Sequence, residues 1–200
     1  IRDGDGDGLC DGDEIHIYGT NPKNWDTDND ELSDGEEARI YGTNPLIADT
    51  DKDGLLDNEE IYLRTDPLDN DSDNDMLLDY YETIFSKTNA SNNDSDGDGL
   101  GDYEEVMGVY IYGLGIVYPS PLNNDTDGDG ITDYDECRIF GINPTSRDTD
   151  GDGIDDYDEI ERYNTDPTQV DTDSDNITDF QEIGKYGTNP LLPDTDGDGL

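Results

Sequence analysis

Asp148-Thr149-Asp150-Gly151-Asp152-Gly153-Ile154-Asp155-Asp156-Tyr157-Asp158-Glu159 is the clearest copy of the pattern that dominates this chain. The pattern is Asp-x-Asp-x-Asp-Gly-(Leu/Ile)-x-Asp-x-x-Glu. It starts at Asp3, Asp26, Asp49, Asp71, Asp94, Asp125, Asp148 and Asp171, and a ninth copy from Asp194 breaks off at Leu200. Successive starts are 23, 23, 22, 23, 31, 23, 23 and 23 residues apart. A period of this length marks a repeat array, whose fold follows from one repeated unit.

The chemistry of the loop lies in its spacing. Hard cations such as Ca²⁺ take six to eight oxygen ligands, and loop positions 1, 3, 5, 7 and 12 are how a short chain segment supplies them. Position 1 is Asp3, Asp26, Asp49, Asp71, Asp94, Asp125, Asp148, Asp171 and Asp194. Position 3 is Asp5, Asp28, Asp51, Asp73, Asp96, Asp127, Asp150, Asp173 and Asp196, and position 5 is Asp7, Asp30, Asp53, Asp75, Asp98, Asp129, Asp152, Asp175 and Asp198. Position 7 offers a backbone carbonyl from Leu9, Leu32, Leu55, Leu77, Leu100, Ile131, Ile154, Ile177 and Leu200, with the side chain turned to the apolar side. Position 12 closes each complete loop with a bidentate carboxylate: Glu14, Glu37, Glu60, Glu82, Glu105, Glu136, Glu159 and Glu182. Position 9 is Asp11, Asp34, Asp57, Asp79, Asp102, Asp133, Asp156 and Asp179. These carboxylates have two readings, a helix cap or a ligand for a second ion shared with positions 3 and 5. The cofactor expected is Ca²⁺, at least one ion per complete loop, with material for two.

Position 6 needs a left-handed turn, which Gly8, Gly54, Gly99, Gly130 and Gly153 make without strain. Asn176 tolerates that conformation, whereas Glu31 and Met76 are expected to be strained there.

Composition confirms that carboxylates govern the chain. Fifty-five acidic residues face ten basic ones, a formal charge of -45 over 200 residues, and hydrophobic residues make up only 30%. Such a chain repels itself when compact and by composition reads as disordered. Ordered ligand spacing in every repeat argues that bound cations supply the missing cohesion. Nucleic acid and anionic membranes are excluded as partners, since both are met by Lys and Arg. No 18-residue apolar run could span a bilayer. The chain reads as an internal stretch of something longer.

Between loops lies room for one short helix and a turn. In the second repeat the helix covers 35–41 and stops at Gly42, and Thr43-Asn44-Pro45 turns the chain into the next loop. Residues directly after the closing Glu (Ile15, Ala38, Ile61, Val106, Cys137, Ile160, Ile183) and three further on (Tyr18, Tyr41, Phe140, Tyr163, Tyr186) extend the position-7 residues into one apolar stripe. The fold class expected is an elongated repeat array of Ca²⁺-binding loops, each followed by a short α-helix and an Asn-Pro turn. Each repeat packs only on its neighbours. An EF-hand is excluded, because it needs a helix on both sides of every loop.

With Asp148–Glu159, Tyr163 and Asp166-Pro167 taken together, the pattern resembles the bacterial and archaeal form of the thrombospondin type 3 repeat. The resemblance covers essentially the whole chain except 106–124. It implies Ca²⁺-filled loops, a secreted or cell-surface location, and a stalk or linker role. The animal form carries disulfides in each repeat. This chain has only Cys10 and Cys137, five repeats apart, which read as free, buried or intermolecular rather than as an internal bridge.

The long interval at 106–124 holds the most apolar stretch, where two β-prone runs flank Gly113-Leu114-Gly115 as a small hairpin over 106–118. It is either a contact site for another subunit or chain segment, or a cover over a joint in the array. The organisation read from sequence is loops 1–5 over 1–105, the insertion over 106–124, and loops 6–9 over 125–200. Ser or Thr at position 2 (Thr27, Thr50, Ser72, Ser95, Thr126, Thr149, Thr172, Thr195) either bonds the local backbone or carries a sugar. Asn-x-Ser/Thr sequons stand at Asn70, Asn89, Asn93, Asn124 and Asn176. His16 reads as a surface residue and Trp25 as packing beside the second loop.

Function follows from these points as a structural, extracellular Ca²⁺-binding array forming a rod, stalk or filament, which self-associates or joins neighbouring domains. The alternative is a Ca²⁺-stabilised spacer within a larger secreted enzyme or adhesin. No nucleophile–base pair suggests catalysis.

Overall fold

The computed structural model describes residues 2–197. Asp198 and Leu200, expected as ligands of the ninth loop, lie outside the described residues. The chain forms two compact units, Ile1–Asn93 and Asp94–Leu200. The first carries loops 1–4 with helices α1 (Asp11–Asp13), α2 (Asp34–Glu36), α3 (Asp57–Leu63) and α4 (Asp79–Tyr81). The second carries loops 5–8 with α5 (Asp102–Met107), α6 (Asp133–Asp135), α7 (Asp156–Asp158) and α8 (Asp179–Gln181), together with a hairpin of β1 (Val109–Ile111) and β2 (Gly115–Val117).

Each loop is wound around its own carboxylates. The position-1 Asp accepts from the backbone N–H groups of positions 4 and 6: Asp148 takes Gly151 at 2.8 Å and Gly153 at 3.1 Å, and Asp26 takes Asn29 at 2.7 Å and Glu31 at 3.1 Å. The position-3 Asp accepts from position 5, as Asp150 does from Asp152 at 3.0 Å. The position-5 Asp accepts from position 7, as Asp152 does from Ile154 at 2.8 Å. For both N–H groups to point at one carboxylate, positions 4 and 6 must both be left-handed. Position 6 was expected to be so. Position 4 was not, yet Gly151, Asn29, Lys52, Asn74 and Ser174 have φ of 82°, 67°, 72°, 63° and 66°. The expected misfits at position 6 adopt the conformation, Glu31 at φ 75° and Met76 at φ 85°, whereas Gly54 and Gly130 open to 112° and 111°.

Each helix starts at position 9, so the residue before it is the N-cap. Ser33, Thr132 and Thr178 accept there from the N–H three residues on. This corrects the capping reading of the position-9 Asp, which is the first helical residue. In six repeats the helix then widens into a π turn that begins at the closing Glu, such as Glu37–Tyr41. Gly42, left-handed at φ 81°, ends it with a 2.7 Å bond from its N–H to the Glu37 carbonyl. The Asn-Pro turn follows as expected: Asn44 Oδ1 accepts from Leu46 N at 3.2 Å and Asn143 Oδ1 from Thr145 N at 3.2 Å.

The apolar stripe is thinner than the sequence suggests. Position 7 is buried from Leu9 to Ile154 and half-buried at Ile177. Beyond it, Ile15, Phe140 and Tyr186 are exposed. The innermost side chains are instead the closing glutamates and the position-9 aspartates. The hairpin supplies the one connected apolar cluster among the described residues: Val109 and Ile111 pack with Leu100, Val117 and Cys137. It therefore spans loop 5 and the helix after loop 6.

Met76 is largely exposed and makes no packing contribution that glycine would forfeit. Met76→Gly should stabilise the Ca²⁺-loaded chain by up to about 1 kcal/mol through relief of the left-handed conformation. Gly54→Ala should destabilise it, since a Cβ there meets the Tyr80 ring at 3.2 Å. Urea midpoints of the two variants, moving in opposite directions, check both.

Candidate metal centres

Two kinds of carboxylate cluster recur. The first joins positions 1, 3 and 5 of one loop: Asp3, Asp5 and Asp7; Asp26, Asp28 and Asp30; Asp49, Asp51 and Asp53, each with ligand atoms within 4.8 Å of one another. The second joins positions 5 and 12 of one loop with position 9 of the next: Asp7, Glu14 and Asp34, then Asp30, Glu37 and Asp57. The position-9 Asp was expected to serve its own loop. The structure brings it to the preceding one.

That Asp is held from behind. Asp34 accepts from Thr27 N at 2.8 Å and from Thr27 Oγ1 at 2.7 Å, both at position 2 of its own loop. Thr50 and Asp57, Thr149 and Asp156, and Thr172 and Asp179 repeat the arrangement. The same hydroxyl accepts a backbone N–H from the preceding turn, as Thr149 Oγ1 does from Asn143 at 3.0 Å. The recurring Ser/Thr thus has its local, loop-shaping role, with a carboxylate rather than the backbone as its acceptor. One side chain at position 9 therefore fixes its own loop and faces the site before it.

Position 5 also crosses the junction. While one Asp53 oxygen accepts from Leu55 N at 2.7 Å, the other accepts from Tyr80 N in the first turn of the next helix, at 2.7 Å. Asp98 meets Tyr134 N at 2.8 Å and Asp152 meets Phe180 N at 2.9 Å in the same way.

The remaining oxygens are the ones suited to a cation. Both carboxylate oxygens of Asp5, Glu14, Asp28, Glu105 and Glu136 are buried without a hydrogen-bond partner. So is one oxygen each of Glu37, Asp51, Glu60, Asp73, Glu82, Asp96, Asp127, Asp150, Glu159, Asp173 and Glu182. An unpaired buried acceptor costs its full desolvation, and natural folds leave few of them. These recur in register, converge, and are all carboxylate. That donor set fits a hard divalent cation. Position 1, whose oxygens already take two N–H groups, mainly shapes the loop. Position 7 has its side chain buried and its N–H bonded, so its carbonyl is what it can offer a cation.

A supporting residue escaped the sequence reading. Thr43, Thr65, Thr88 and Thr165 are buried and donate to the closing Glu at 3.3, 3.5, 3.0 and 3.0 Å, a role the sequence reading did not give them. Their recurrence five or six residues after the closing Glu was the available signal. The sixth repeat has buried Ile142 there instead, so Glu136 has no such donor.

Electrostatics follow the burial. Desolvation, reinforced by neighbouring aspartates, raises the carboxyl pKa of Glu14 to about 7, of Glu37, Glu82 and Glu159 to about 8, and of Glu60, Glu105 and Glu136 to about 9. The next repeat contributes: Asp79 raises Glu60, Asp133 raises Glu105 and Asp156 raises Glu136. Cys10 and Cys137 are free thiols. Burial, then Glu136, pushes Cys137 up to about 12.

Comparison with known proteins agrees with this geometry. The family model described as bacterial TSP3 repeat matches residues 3–24, 26–48, 49–70, 94–106, 125–146 and 148–169, well over half of the chain. The loops from Asp71 and Asp171 fall outside those matches but carry the same hydrogen bonds. Two solved structures match short stretches. "Biofilm associated protein - B domain" is 41% identical over 23% of this chain and 11% of its own, with a TM-score of 0.23. "Biofilm associated protein - BSP domain" is 42% identical over 22% and 8%, with a TM-score of 0.22. The matched stretches, under a quarter of this chain, span about a tenth of those structures. No curated protein matches it at the same standard.

Asp34→Asn should weaken Ca²⁺ binding at the loop from Asp3 by at least about tenfold, because removing one charged ligand costs more than 1.4 kcal/mol. Calorimetric titration of this variant and of Asp28→Asn, which should act on the loop from Asp26, distinguishes the two sites. The raised carboxyl values set the pH response of the metal-free chain. Folded glutamates hold protons between their ordinary 4.5 and about 9, where unfolded ones do not. Their contribution is therefore fully present below 4.5 and lost as pH rises through that window. Helical circular dichroism without Ca²⁺ should decline from acid to alkaline pH, and Ca²⁺ added near pH 7 should release protons in a pH-stat titration.

Proposed function

The chain belongs to the bacterial TSP3 repeat family, and from that premise we propose that it is a structural, extracellular array whose loops are folded by Ca²⁺. The observation that carries this reading is the register of buried, unpartnered carboxylate oxygens at positions 3 and 12. The residues that would hold the ions are those of positions 1, 3, 5, 7 and 12 of each loop, joined by position 9 of the following repeat. The two kinds of carboxylate cluster, both present at the loops from Asp3 and Asp26, support two ions at such a loop. Bound Ca²⁺ supplies positive charge that offsets -45 and replaces the missing apolar cohesion.

A Ca²⁺-dependent rod, stalk or filament at the cell surface is the role this chemistry fits. Extracellular Ca²⁺ near 1 mM suits sites of the 10⁻⁴ M class. Repeats that share ligands across each junction are ordered end to end once filled. No helix among the described residues is long and apolar enough to cross a membrane. The same properties suit a spacer within a larger adhesin or secreted enzyme, which the sequence flanking this stretch would distinguish.

A site of that affinity contributes roughly 1.4 kcal/mol at about 1 mM Ca²⁺. Eight of them together reach about 11 kcal/mol, the whole stability of an ordinary domain. Excess EGTA should therefore abolish the helical signal and expand the chain in solution scattering. A spectrum and melting curve indifferent to EGTA would falsify the reading.

A further inference from the structure

We propose that the outer face and free edge of the β1–β2 hairpin form a self-association site, which pairs with the same hairpin of a second copy of this chain. The proposal rests on the reading of the chain as a Ca²⁺-folded structural array and names where two such arrays meet.

The hairpin has two unlike faces. Val109 and Ile111 turn inward and are 3% exposed, packed on Leu100 and Cys137. Tyr110 and Ile116, paired across the strands, are 68% and 58% exposed, and Tyr112 and Tyr118 are 93% and 61% exposed. One end of the face is closely packed: Gly108, left-handed at φ 91°, lies directly beneath Ile116 and Tyr118, where an added Cβ would sit 2.4 and 2.7 Å from their side chains. Tyrosine side chains offer large contact area at low entropic cost.

Two observations choose the occupant. Residues 106–124 contain no Asp, Glu, Lys or Arg, in a chain that otherwise carries 55 acidic and 10 basic residues. Everywhere else the surface of a second copy is the same acidic, ion-holding loops, and this uncharged stretch is where two copies approach without opposing charge. A basic partner would be drawn to the loops instead. The second observation is the edge. Apart from their mutual pairing and the turn bond from Leu114 to Ile111, the strands make no backbone hydrogen bond to the rest of the described chain. Natural edges are blunted with charge, and this one has none. A strand pairing antiparallel with itself about a two-fold axis is self-complementary by symmetry, which makes an identical copy the matching partner. Aromatic side chains bury roughly 150–250 Å² each, so the exposed portion of this face amounts to on the order of 500 Å² per copy. A standard interface buries about 800 Å² per partner, so this pair is a weak one. The face is presented only when loops 5 and 6 are folded, because Leu100 and Cys137 belong to those repeats.

Sedimentation equilibrium of the 200-residue chain in excess Ca²⁺, at concentrations up to about 0.5 mM, tests the pairing. The weight-average mass should climb from 22.1 kDa toward twice that value. The double variant Tyr110→Asp, Tyr112→Asp should stay at the monomer mass with an unchanged Ca²⁺-induced helical signal. Tyr62→Asp, an equally exposed tyrosine in the other unit, should associate as the parent does. A parent chain that folds with Ca²⁺ yet remains monomeric overturns the pairing alone. So does association that survives the double variant or is lost in Tyr62→Asp. A chain with no Ca²⁺-induced helical signal overturns the reading beneath it and the pairing with it.

Discussion

The carboxylates of this chain are buried before they are neutralised, and every other feature answers to that constraint. A closing glutamate with almost no exposed surface is costly in an apolar fold when one of its oxygens lacks a hydrogen-bond donor. Every closing glutamate has at least one such oxygen, even where a threonine donates to the other, and the ten basic residues are too few to offset them. Protonation relieves it toward acid pH, and on the proposed reading bound Ca²⁺ relieves it at neutral pH. Folding and metal binding would then be one equilibrium, as in other small metal-dependent modules.

The junction between repeats is built from the same groups. Asp34 is anchored by Thr27 behind it and faces Asp7 and Glu14 in front. Asp53 reaches forward to the N–H of Tyr80. A cation in one loop therefore fixes the start of the next helix, and that helix positions the next loop. Apolar contact contributes little, since position 7 is the only layer that is consistently buried. The direction of this coupling is set by the chain: the sites from Asp3 and Asp26 each borrow from the repeat after them.

The hairpin is the exception that shows what the loops lack. It brings the one connected apolar cluster among the described residues, Leu100 with Val109 and Ile111, to two repeats whose closing glutamates, Glu105 and Glu136, have no donor on either oxygen, as is also true of Glu14. Its outer face is apolar and uncharged in a strongly acidic molecule. Unlike the loops, it is suited to meeting another protein surface rather than an ion.

The sequence alone determined the period, the ligand positions within each loop, the short helix, the Asn-Pro turn and the hairpin, because each depends on residues close in the chain. Gly153 at position 6 and Asn44 at the turn are local conformational requirements, legible wherever they occur. Position 4 was legible in principle, since Gly and Asn recur there, but the pattern was read only at position 6. What the sequence could not assign was the owner of each carboxylate. Asp34 belongs chemically to the loop from Asp3, and Thr43 to Glu37, because the repeat folds the chain back by one turn and brings position 9 onto its predecessor. That is a through-space relation, and spacing along the chain is silent about it. The tertiary structure also decided how deeply the stripe is covered: beyond position 7, Ile61, Cys137, Ile160 and Tyr41 are half-buried, whereas Ile15 and Tyr186 find no neighbour to cover them.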